Sequence, residues 1–332
     1  MNDIITLDYG SGGKKTSRLI EELFLKMYGS DELNELGDGA VLEGAEKLTF
    51  STDSFVVSPI FFPGGDIGKL SVCGTVNDVS MCGGVPKFLS CGFIIEEGFP
   101  VEQLEKITAS IGETCRKIGV KVVTGDTKVV ERGRGDGIYI NTAGIGYLKY
   151  PNLSPKNIRP GDAVLVSGTV GDHGTAVMLA RNGMLQGNIS SDCAPLNELC
   201  AAVMDACPET RVLRDPTRGG VATTLNEFTE NSACGILLEE GAIPVRDEVR
   251  SACDMLGLDP LYCANEGKLL AVVPAEAADR VLSAMKSLSV GKNAAVIGTV
   301  TDAIPGRVAM KTAFGGTRIL QKLAGAQLPR IC

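Results

Sequence analysis

The segment from Tyr150 to Gly161 constrains the fold of this chain most, because it suits neither a helix nor a central strand. It holds three prolines within ten residues, and proline fixes φ and removes a backbone hydrogen-bond donor. We therefore expect a linker here. The chain has 332 residues, which is enough for about two domains with complete cores. The sequence thus predicts one domain over 1–150, a second over 161–303 and a C-terminal segment over 304–332.

Hydrophobic periodicity on both sides of this linker predicts helices and strands in irregular alternation. The clearest helix covers 101–118, where Leu104, Ile107 and Ile111 follow the three-and-four spacing of one buried face. Strands are expected at 87–95, 120–124, 137–147, 163–168, 266–273 and 293–301. Further helices are expected at 18–27, 173–182, 195–206, 217–230, 244–256 and 275–288. The pattern indicates an α+β (mixed α/β) protein with two layered domains.

Charge and cysteine usage exclude several classes of protein. The net charge of -8 provides no basic surface for nucleic acid, and no apolar run reaches the roughly 18 residues of a membrane span. The first residues lack the features of a secretory signal peptide, so we expect a cytoplasmic protein. The eleven cysteines include no C-x-x-C pair, which argues against a disulfide framework or a thiolate zinc site. The single histidine, His173, suits a structural or hydrogen-bonding role better than a Cys–His pair.

The C-terminal tail Pro329–Cys332 ends in a thiol. Chain ends are poorly ordered unless they are tied down, so this thiol is expected to be mobile and accessible. The last eight residues could extend over about 26 Å, which is far enough to carry a group on Cys332 between two active sites. The alternative is that one of eleven cysteines happens to be last, and on the tail alone this alternative is favoured.

A glycine-rich segment, Asp8 to Ser17, precedes the first predicted helix. Its backbone N–H groups could surround a phosphate at Gly10, Ser11, Gly12 and Gly13. Its spacing is not that of a Walker A loop. A flexible N-terminal turn explains the segment equally well.

Four aspartates lie among small residues next to predicted strands. They are Asp38, Asp53, Asp78 and Asp126. Carboxylates on several loops are suitable ligands for a Mg²⁺ ion that bridges nucleotide phosphates. Each aspartate alone is more typical of a turn or a helix cap, but four of them in similar contexts indicate a metal–phosphate site equally well.

Two further polar segments are candidates for ligand binding. The first contains Thr217, Arg218 and Gly219 at the start of a predicted helix, where an anion could bind; the alternative is an ordinary helix start with Thr217 as its N-cap. The second, Ala264 to Lys268, places Glu266 at the start of a strand. Glu266 is a plausible general base, and equally a surface residue on spacing alone.

These motifs together resemble the HypE family of hydrogenase maturation factors over essentially the whole chain. That family shares a superfamily with aminoimidazole ribonucleotide synthetase, selenophosphate synthetase and thiamine-monophosphate kinase. The motifs typical of the superfamily are Gly10–Gly13, Gly37-Asp38, Thr52–Ser54, Asn77-Asp78 and Gly125-Asp126. Those typical of the family itself are Arg214–Leu225, Asn265–Lys268, Thr312–Thr317 and Pro329–Cys332. Tyr9 and Gly39 depart from the superfamily pattern, which has His and Asp there.

The resemblance implies a reaction, its cofactors and its partners. The first domain would bind ATP and Mg²⁺ and form a homodimer, with Asn77 joining the residues above in nucleotide binding. A carbamoyltransferase, HypF, would place a carbamoyl group on Cys332. The chain would use ATP to dehydrate that S-carboxamide to an S-thiocyanate. The cyano group would then pass to iron on a HypC–HypD scaffold, as a cyanide ligand of NiFe hydrogenase.

Lys128 and Glu266 are the catalytic candidates beside Cys332. Lys128 could stabilise developing negative charge and Glu266 could remove the amide proton, but the sequence also allows the reverse assignment. Two alternatives remain: another ATP-dependent synthetase or kinase of the superfamily, and a non-catalytic carrier in which ATP controls the tail. The selenophosphate synthetase branch is disfavoured, because no cysteine precedes Cys73.

Overall fold

A four-stranded sheet organises the first half of the chain in the computed structural model, which describes residues 3–184, 188–325 and 330–332. In spatial order its strands are β1 (Leu48–Phe55), β6 (Ile138–Leu148), β4 (Gly84–Glu96) and β5 (Lys121–Val130). β4 and β5 are parallel, and the other pairs are antiparallel. The short strands β2 (Phe61–Phe62) and β3 (Gly65–Asp66) pair separately. The sheet therefore has β1 at one edge and β5 at the other.

Two long helices cover one face of this sheet. Helix α5 (Val101–Ile118) has the predicted bounds, and Gly119 ends it in the left-handed conformation with φ of 69°. Helix α4 (Ile67–Met81) is buried on almost every side, and Asp66 caps its N-terminus. Before the sheet lie α1 (Lys14–Leu19), a π-helical turn, α2 (Leu25–Tyr28) and α3 (Asp31–Asn34). The opposite face of the sheet carries none of these helices.

A seven-stranded sheet organises the second half of the chain. Its spatial order is β13 (Thr317–Leu320), β12 (Val308–Lys311), β9 (Gly235–Glu239), β11 (Ala295–Thr301), β7 (Ala163–Val166), β10 (Leu270–Val273) and β8 (Val212–Arg214). Its helices are α6 (Asp172–Arg181), α7 (Asn197–Ala206), α8 (Gly220–Thr229), α9 (Asp247–Leu256) and α10 (Ala278–Lys286). Alternate residues of β7 pack into two cores, one against α8 and the other against α7 and α10. The mixed α/β prediction with two layered domains is confirmed.

The C-terminal segment predicted over 304–332 is not a separate unit in the structure. Strands β12 and β13 extend the second sheet, because β12 pairs with β9 and β13 pairs with β12. The last residues then return to the first domain, where Ile331 is buried in its core. Residues 326–329 lie outside the described residues, and with them Pro329 of the predicted tail. Residues 330–332 are docked, whereas the sequence alone suggested a free chain end.

Candidate active site at the docked C-terminal tail

Most of the predicted site residues form two groups within one chain. One group, the outer cluster, consists of Gly10–Gly13, Asp126 and Lys128. The other group, the tail cluster, consists of the predicted Asp53, Asp78, Glu266 and Cys332 together with Asp215, which was not predicted. The sheet separates them, since Asp53 lies on β1 and Asp126 on β5, at opposite edges.

A cavity of about 390 Å³ is lined by four residues of the outer cluster, Gly10, Gly12, Asp126 and Lys128. Gly10 and Gly12 approach it from the glycine-rich loop, and a Cβ on Gly10 would lie 2.4 Å from the backbone nitrogen of Val129. Only glycine therefore allows the loop to lie this close to β5. Lys128 Nζ lies 2.7 Å from Asp126 Oδ2, and this bond lowers the pKa of Asp126. The cavity thus combines a glycine-rich loop with a paired ammonium and carboxylate.

The remaining predicted residues of this loop and its surroundings have local roles. The hydroxyl of Ser11 donates to the carbonyl of Asp8 at 3.0 Å, and Gly13 is the N-cap of α1. Asp38 is exposed at the rim of the cavity, between Gly37 and Gly39. The ring of Tyr9, which departs from the superfamily pattern, is buried below the loop.

Asp53 and Asp78 form the acidic pair of the tail cluster. Their side chains interact directly, and burial together with the charge of Asp78 raises the pKa of Asp53 to about 6. Ser51 Oγ donates to Asp78 Oδ2 at 2.7 Å. Asp78 also lies in the last turn of α4, where the helix dipole disfavours negative charge. Because two ionised carboxylates this close repel each other, binding of a cation between them would be favourable.

Asp215 extends the acidic surface from the second domain. Burial, followed by the charge of Asp78, raises its pKa to about 7. The loop that carries it turns through Gly219 and Gly220, with φ of 79° and 61°. A Cβ on Gly220 would lie 2.5 Å from the carbonyl oxygen of Leu261, so this path of the backbone requires glycine.

Arg218 supplies the positive charge of this loop. It is exposed. The positive charge of its guanidinium lowers the pKa values of Asp53 and Cys332 and so offsets part of the rise that burial causes. The alternative that Thr217 caps the following helix is wrong, because α8 begins at Gly220 with Gly219 as its N-cap. The backbone carbonyl of Thr217 instead accepts a hydrogen bond from the backbone N–H of Gly220 at 2.9 Å.

Glu266 is buried beside the tail, with 2% of its surface exposed. Within the described part of the chain, its Oε1 has no hydrogen-bond partner. Burial is the main cause that raises its pKa well above the ordinary value, and Cys193 and Asp215 raise it further. A carboxyl group in this environment holds a proton strongly, and its ionised form is correspondingly basic. The structure therefore excludes the reading of Glu266 as a surface residue.

Cys332 is partly buried against the first core. Burial, then the charge of Glu266, raises the pKa of its thiol to about 12, and Arg218 opposes this shift. The docked thiol is therefore protonated at neutral pH and is not an activated nucleophile. Its surroundings suit a neutral group attached to sulfur better than a thiolate.

Asn77 has a different role from the one predicted. Its Nδ2 donates to the carbonyl of Ala194 at 3.1 Å and to that of Glu266 at 3.4 Å. Its Oδ1 accepts the backbone N–H of Leu196 at 2.8 Å. The side chain therefore ties α4 to the second domain and fixes the backbone of Glu266, rather than facing a ligand.

The four aspartates predicted to share one metal ion do not converge within one chain. Among residues 3–184, 188–325 and 330–332, no three His, Cys, Asp or Glu side chains are arranged to hold a metal. Asp126 faces the uncovered side of the sheet and Asp53 the helical side, and they lie three strands apart, about 14 Å. Asp53 and Asp78 alone remain as a pair for one cation.

Lys128 does not face Cys332 within one chain. Lys128 lies in register with Ile94 of β4, on the uncovered face of the sheet and at its far edge from β1. The charged groups that shift the pKa of Cys332 are Glu266, Arg218, Asp53 and Asp215. The expectation that Lys128 and Glu266 act on the same thiol is therefore not met by residues of a single protomer.

Sequence reasoning missed two residues of this site and the partner of a third. Asp215 lies inside the motif Arg214–Leu225, but its burial was not predictable. Arg181, which binds the backbone of the tail, was not singled out. The hydrogen-bonding role predicted for His173 is confirmed, but nothing in its sequence context indicates that the tail is its partner. No helix in the described part of the chain is both long and apolar enough to cross a membrane.

Comparisons with known proteins identify the family. Models of the N-terminal and C-terminal domains of AIR synthase related proteins match residues 36–148 and 159–311. The carbamoyl dehydratase HypE of Azotobacter vinelandii is 50% identical over 334 residues, covering 100% of this chain and 98% of the relative.

Solved structures agree with this match. A hydrogenase maturation protein HypE crystallised in complex with ATP has a TM-score of 0.95 at 49% identity, covering 98% of this chain and 99% of that one. A crystal structure of a HypE–HypF complex has a TM-score of 0.79 at 51% identity, covering 91% and 99%. The chain therefore belongs to the HypE family of hydrogenase maturation proteins, within the proteins related to AIR synthase.

Proposed function

We propose that this chain uses ATP to dehydrate an S-carboxamide on its own Cys332 to an S-thiocyanate, as a source of cyanide ligands for the iron of NiFe hydrogenase. The observation that carries the proposal is the docked tail, in which the charges of Glu266, Asp53 and Asp215 act on the thiol of Cys332. The similarity to a carbamoyl dehydratase supports the same reaction. A relative crystallised with ATP supports ATP as the co-substrate.

The reaction balances without an oxidant or reductant. The carboxamide oxygen takes the γ-phosphoryl group of ATP, which releases ADP and converts the oxygen into a good leaving group. One nitrogen proton is released during this transfer, and the second passes by way of Glu266 to the phosphate as it leaves, so that the C–N bond becomes the nitrile. The net change is loss of one water from the carboxamide, coupled to hydrolysis of one ATP.

Glu266 is the proposed base for this elimination. Its burial keeps water away from the nitrogen and makes its ionised form strongly basic. Mg²⁺ would be held by Asp53 and Asp78, whose mutual repulsion a divalent cation relieves, and it would neutralise phosphate charge during transfer. Asp215 and Arg218 complete the charged surface around the docked sulfur.

A homodimer formed through the first sheet would give Lys128 a role. The uncovered face of the sheet exposes Phe50 (66%), Leu48 (51%) and Ile94 (47%), an apolar surface that a second copy would bury. In a two-fold pair whose axis runs along the strands, the β5 edge of one sheet would lie over the β1 edge of its partner. The outer cluster of one protomer, with Lys128, would then approach the docked tail of the other.

The other proposed partners follow the direction of the reaction. The complex of a relative with HypF supports a carbamoyltransferase of that family as the source of the carbamoyl group. We also propose a HypC–HypD scaffold as the acceptor of cyanide and a cytoplasmic location.

A substitution of Phe50→Glu tests the proposed homodimer and should shift the chain from dimer to monomer in light scattering. An unchanged mass would exclude the uncovered face of the first sheet as the interface.

The mass of Cys332 tests the reaction directly. Protein carbamoylated on Cys332 is incubated with Mg-ATP, and its C-terminal peptide is weighed. Loss of one water with release of phosphate supports the dehydratase. An unchanged peptide mass, with ATP bound, supports the alternative of a non-catalytic carrier.

A further inference from the structure

The docked tail is held by backbone hydrogen bonds to the segment Val56–Ser58, which follows β1. The backbone N–H groups of Val56 and Ser58 donate to the main-chain oxygens of Cys332 and Arg330, both at 3.1 Å. Arg330 Nε donates to the carbonyl of Val56 at 3.1 Å. The intervening Ile331 is buried. This is the pattern of a peptide that pairs with an exposed backbone segment through alternate residues.

Helix α6 of the second domain closes the other side of the tail. His173 Nε2 lies 2.8 Å from the carbonyl oxygen of Ile331, and His173 Nδ1 lies 2.8 Å from Ser191 Oγ. Two turns along the helix, Arg181 Nη2 donates to the carbonyl of Arg330 at 2.7 Å. The tail is therefore held between the segment Val56–Ser58 of one domain and helix α6 of the other.

The hydrogen bonds fix the tautomer of His173. The carbonyl of Ile331 can only accept, so Nε2 must carry the hydrogen. Nδ1 then accepts from the hydroxyl of Ser191, which itself accepts the backbone N–H of Cys193 at 3.0 Å. His173 is fully buried, and burial lowers the pKa of its imidazole. His173 is thus a neutral ring in one orientation, and its Nε2–H donates to the carbonyl of Ile331, the residue before Cys332.

We propose that His173 is the positioning residue of the tail: it holds the carbonyl of Ile331 and so sets the register at which Cys332 stands beside Glu266. The chemical purpose of this register rests on the proposed function. The hydrogen bond from His173 to the carbonyl of Ile331, which we call the latch, does not depend on that function. Cys332 must leave the site to receive a group from another protein and return for dehydration. The single bond from His173 must therefore break and re-form in each cycle.

Thiol labelling measures the latch without ATP or any partner. Cys82 is exposed and the other cysteines except Cys332 are buried, so a Cys82→Ser background makes alkylation report on Cys332. His173→Asn removes the Nε2 donor, whereas His173→Gln keeps an N–H donor at a similar distance from Cα. We expect alkylation on the order of tenfold faster in His173→Asn, as the loss of one hydrogen bond gives, and a rate close to the parent in His173→Gln.

Two results would overturn the latch. One is alkylation of His173→Asn at the parent rate, and the other is equal acceleration in both variants, which would indicate a general effect on the core. A measurement on the unmodified chain does not depend on how the variants fold, because the chain has a single histidine. Nitrogen NMR of that ring should show the Nε2–H tautomer, and a Nδ1–H or doubly protonated ring would contradict the proposal. A functional latch with no dehydration would refute the proposed function alone.

Discussion

Replacing Ile331 with alanine should release the tail from the first domain. The side chain is 2% exposed and lies in the core with residues of the N-terminal domain. Truncation of a buried isoleucine to alanine costs about 2–5 kcal/mol, and the lower end applies where the site can collapse, as at a chain end. Because about 1.4 kcal/mol is a factor of ten, a loss of about 2 kcal/mol should increase the undocked fraction about 30-fold.

Alkylation of Cys332 in the Cys82→Ser background measures this fraction, provided that docking is fast relative to labelling. Ile331→Ala should then be alkylated roughly 30-fold faster than the parent, by the conversion above. Ile319→Ala is the matched control, since Ile319 is 47% exposed on β13 and its truncation should leave the rate unchanged. If Ile331→Ala reacts at the rate of this control, the tail is not held by burial of Ile331 and the reasoning fails.

The other predictions concern pH, the acidic pair and the glycine loop. The docked thiol of Cys332 has a pKa of about 12 against an ordinary 9.0, so docking is fully stabilised below pH 9 and is lost as the pH rises towards 12. Alkylation of Cys332 should therefore keep accelerating above pH 9; a plateau there would contradict this. The pKa of Asp53, about 6 against 3.8, means that its ionisation costs stability: the cost begins as the pH rises past 3.8 and is complete above about pH 6. Asp53→Asn should thus raise the melting temperature at pH 7 and abolish stabilisation by Mg²⁺, and an unchanged Mg²⁺ response would exclude Asp53 as a ligand. Gly220→Ala should cost about 1–3 kcal/mol in chemical denaturation, whereas Gly241→Ala, with no atom near its Cβ, should be close to neutral; equal costs would refute the backbone argument.

Whether the sequence predicted a helix depended on whether one side of that helix faces water. Helix α5 was predicted with its observed bounds, because one apolar face packs on the sheet while the other faces water. Helix α4 was missed, because it is surrounded by protein and its apolar, small and polar residues show no helical period. Asp78 was nevertheless found, since the Asn77-Asp78 motif does not depend on recognising the helix that carries it.

The grouping of the site residues could not be read from local sequence. Asp53 and Asp126 have similar neighbours and both lie on strands, so they appeared to belong together. The order β1-β6-β4-β5 places them at opposite edges and on opposite faces. Strand order depends on pairings between distant parts of the chain, which a single sequence does not specify.

The docked tail depends on contacts that are equally remote in sequence. The thiol of Cys332 was identified as a carrier by its position in the chain and by its motif. Its docking site is built from Val56, His173 and Arg181, none of which lies near it in the sequence. Sequence reasoning therefore identified the reactive atom, whereas only the fold identifies what holds it.

The fate of the carboxamide oxygen tests the proposed dehydration most directly. Cys332 is carbamoylated with a carboxamide that carries heavy oxygen, and the protein is then given unlabelled Mg-ATP in unlabelled water. If the oxygen is phosphorylated and leaves as phosphate, each phosphate released with a thiocyanate will carry one heavy oxygen, and Glu266→Gln will release neither. Thiocyanate formed together with unlabelled phosphate would contradict the mechanism.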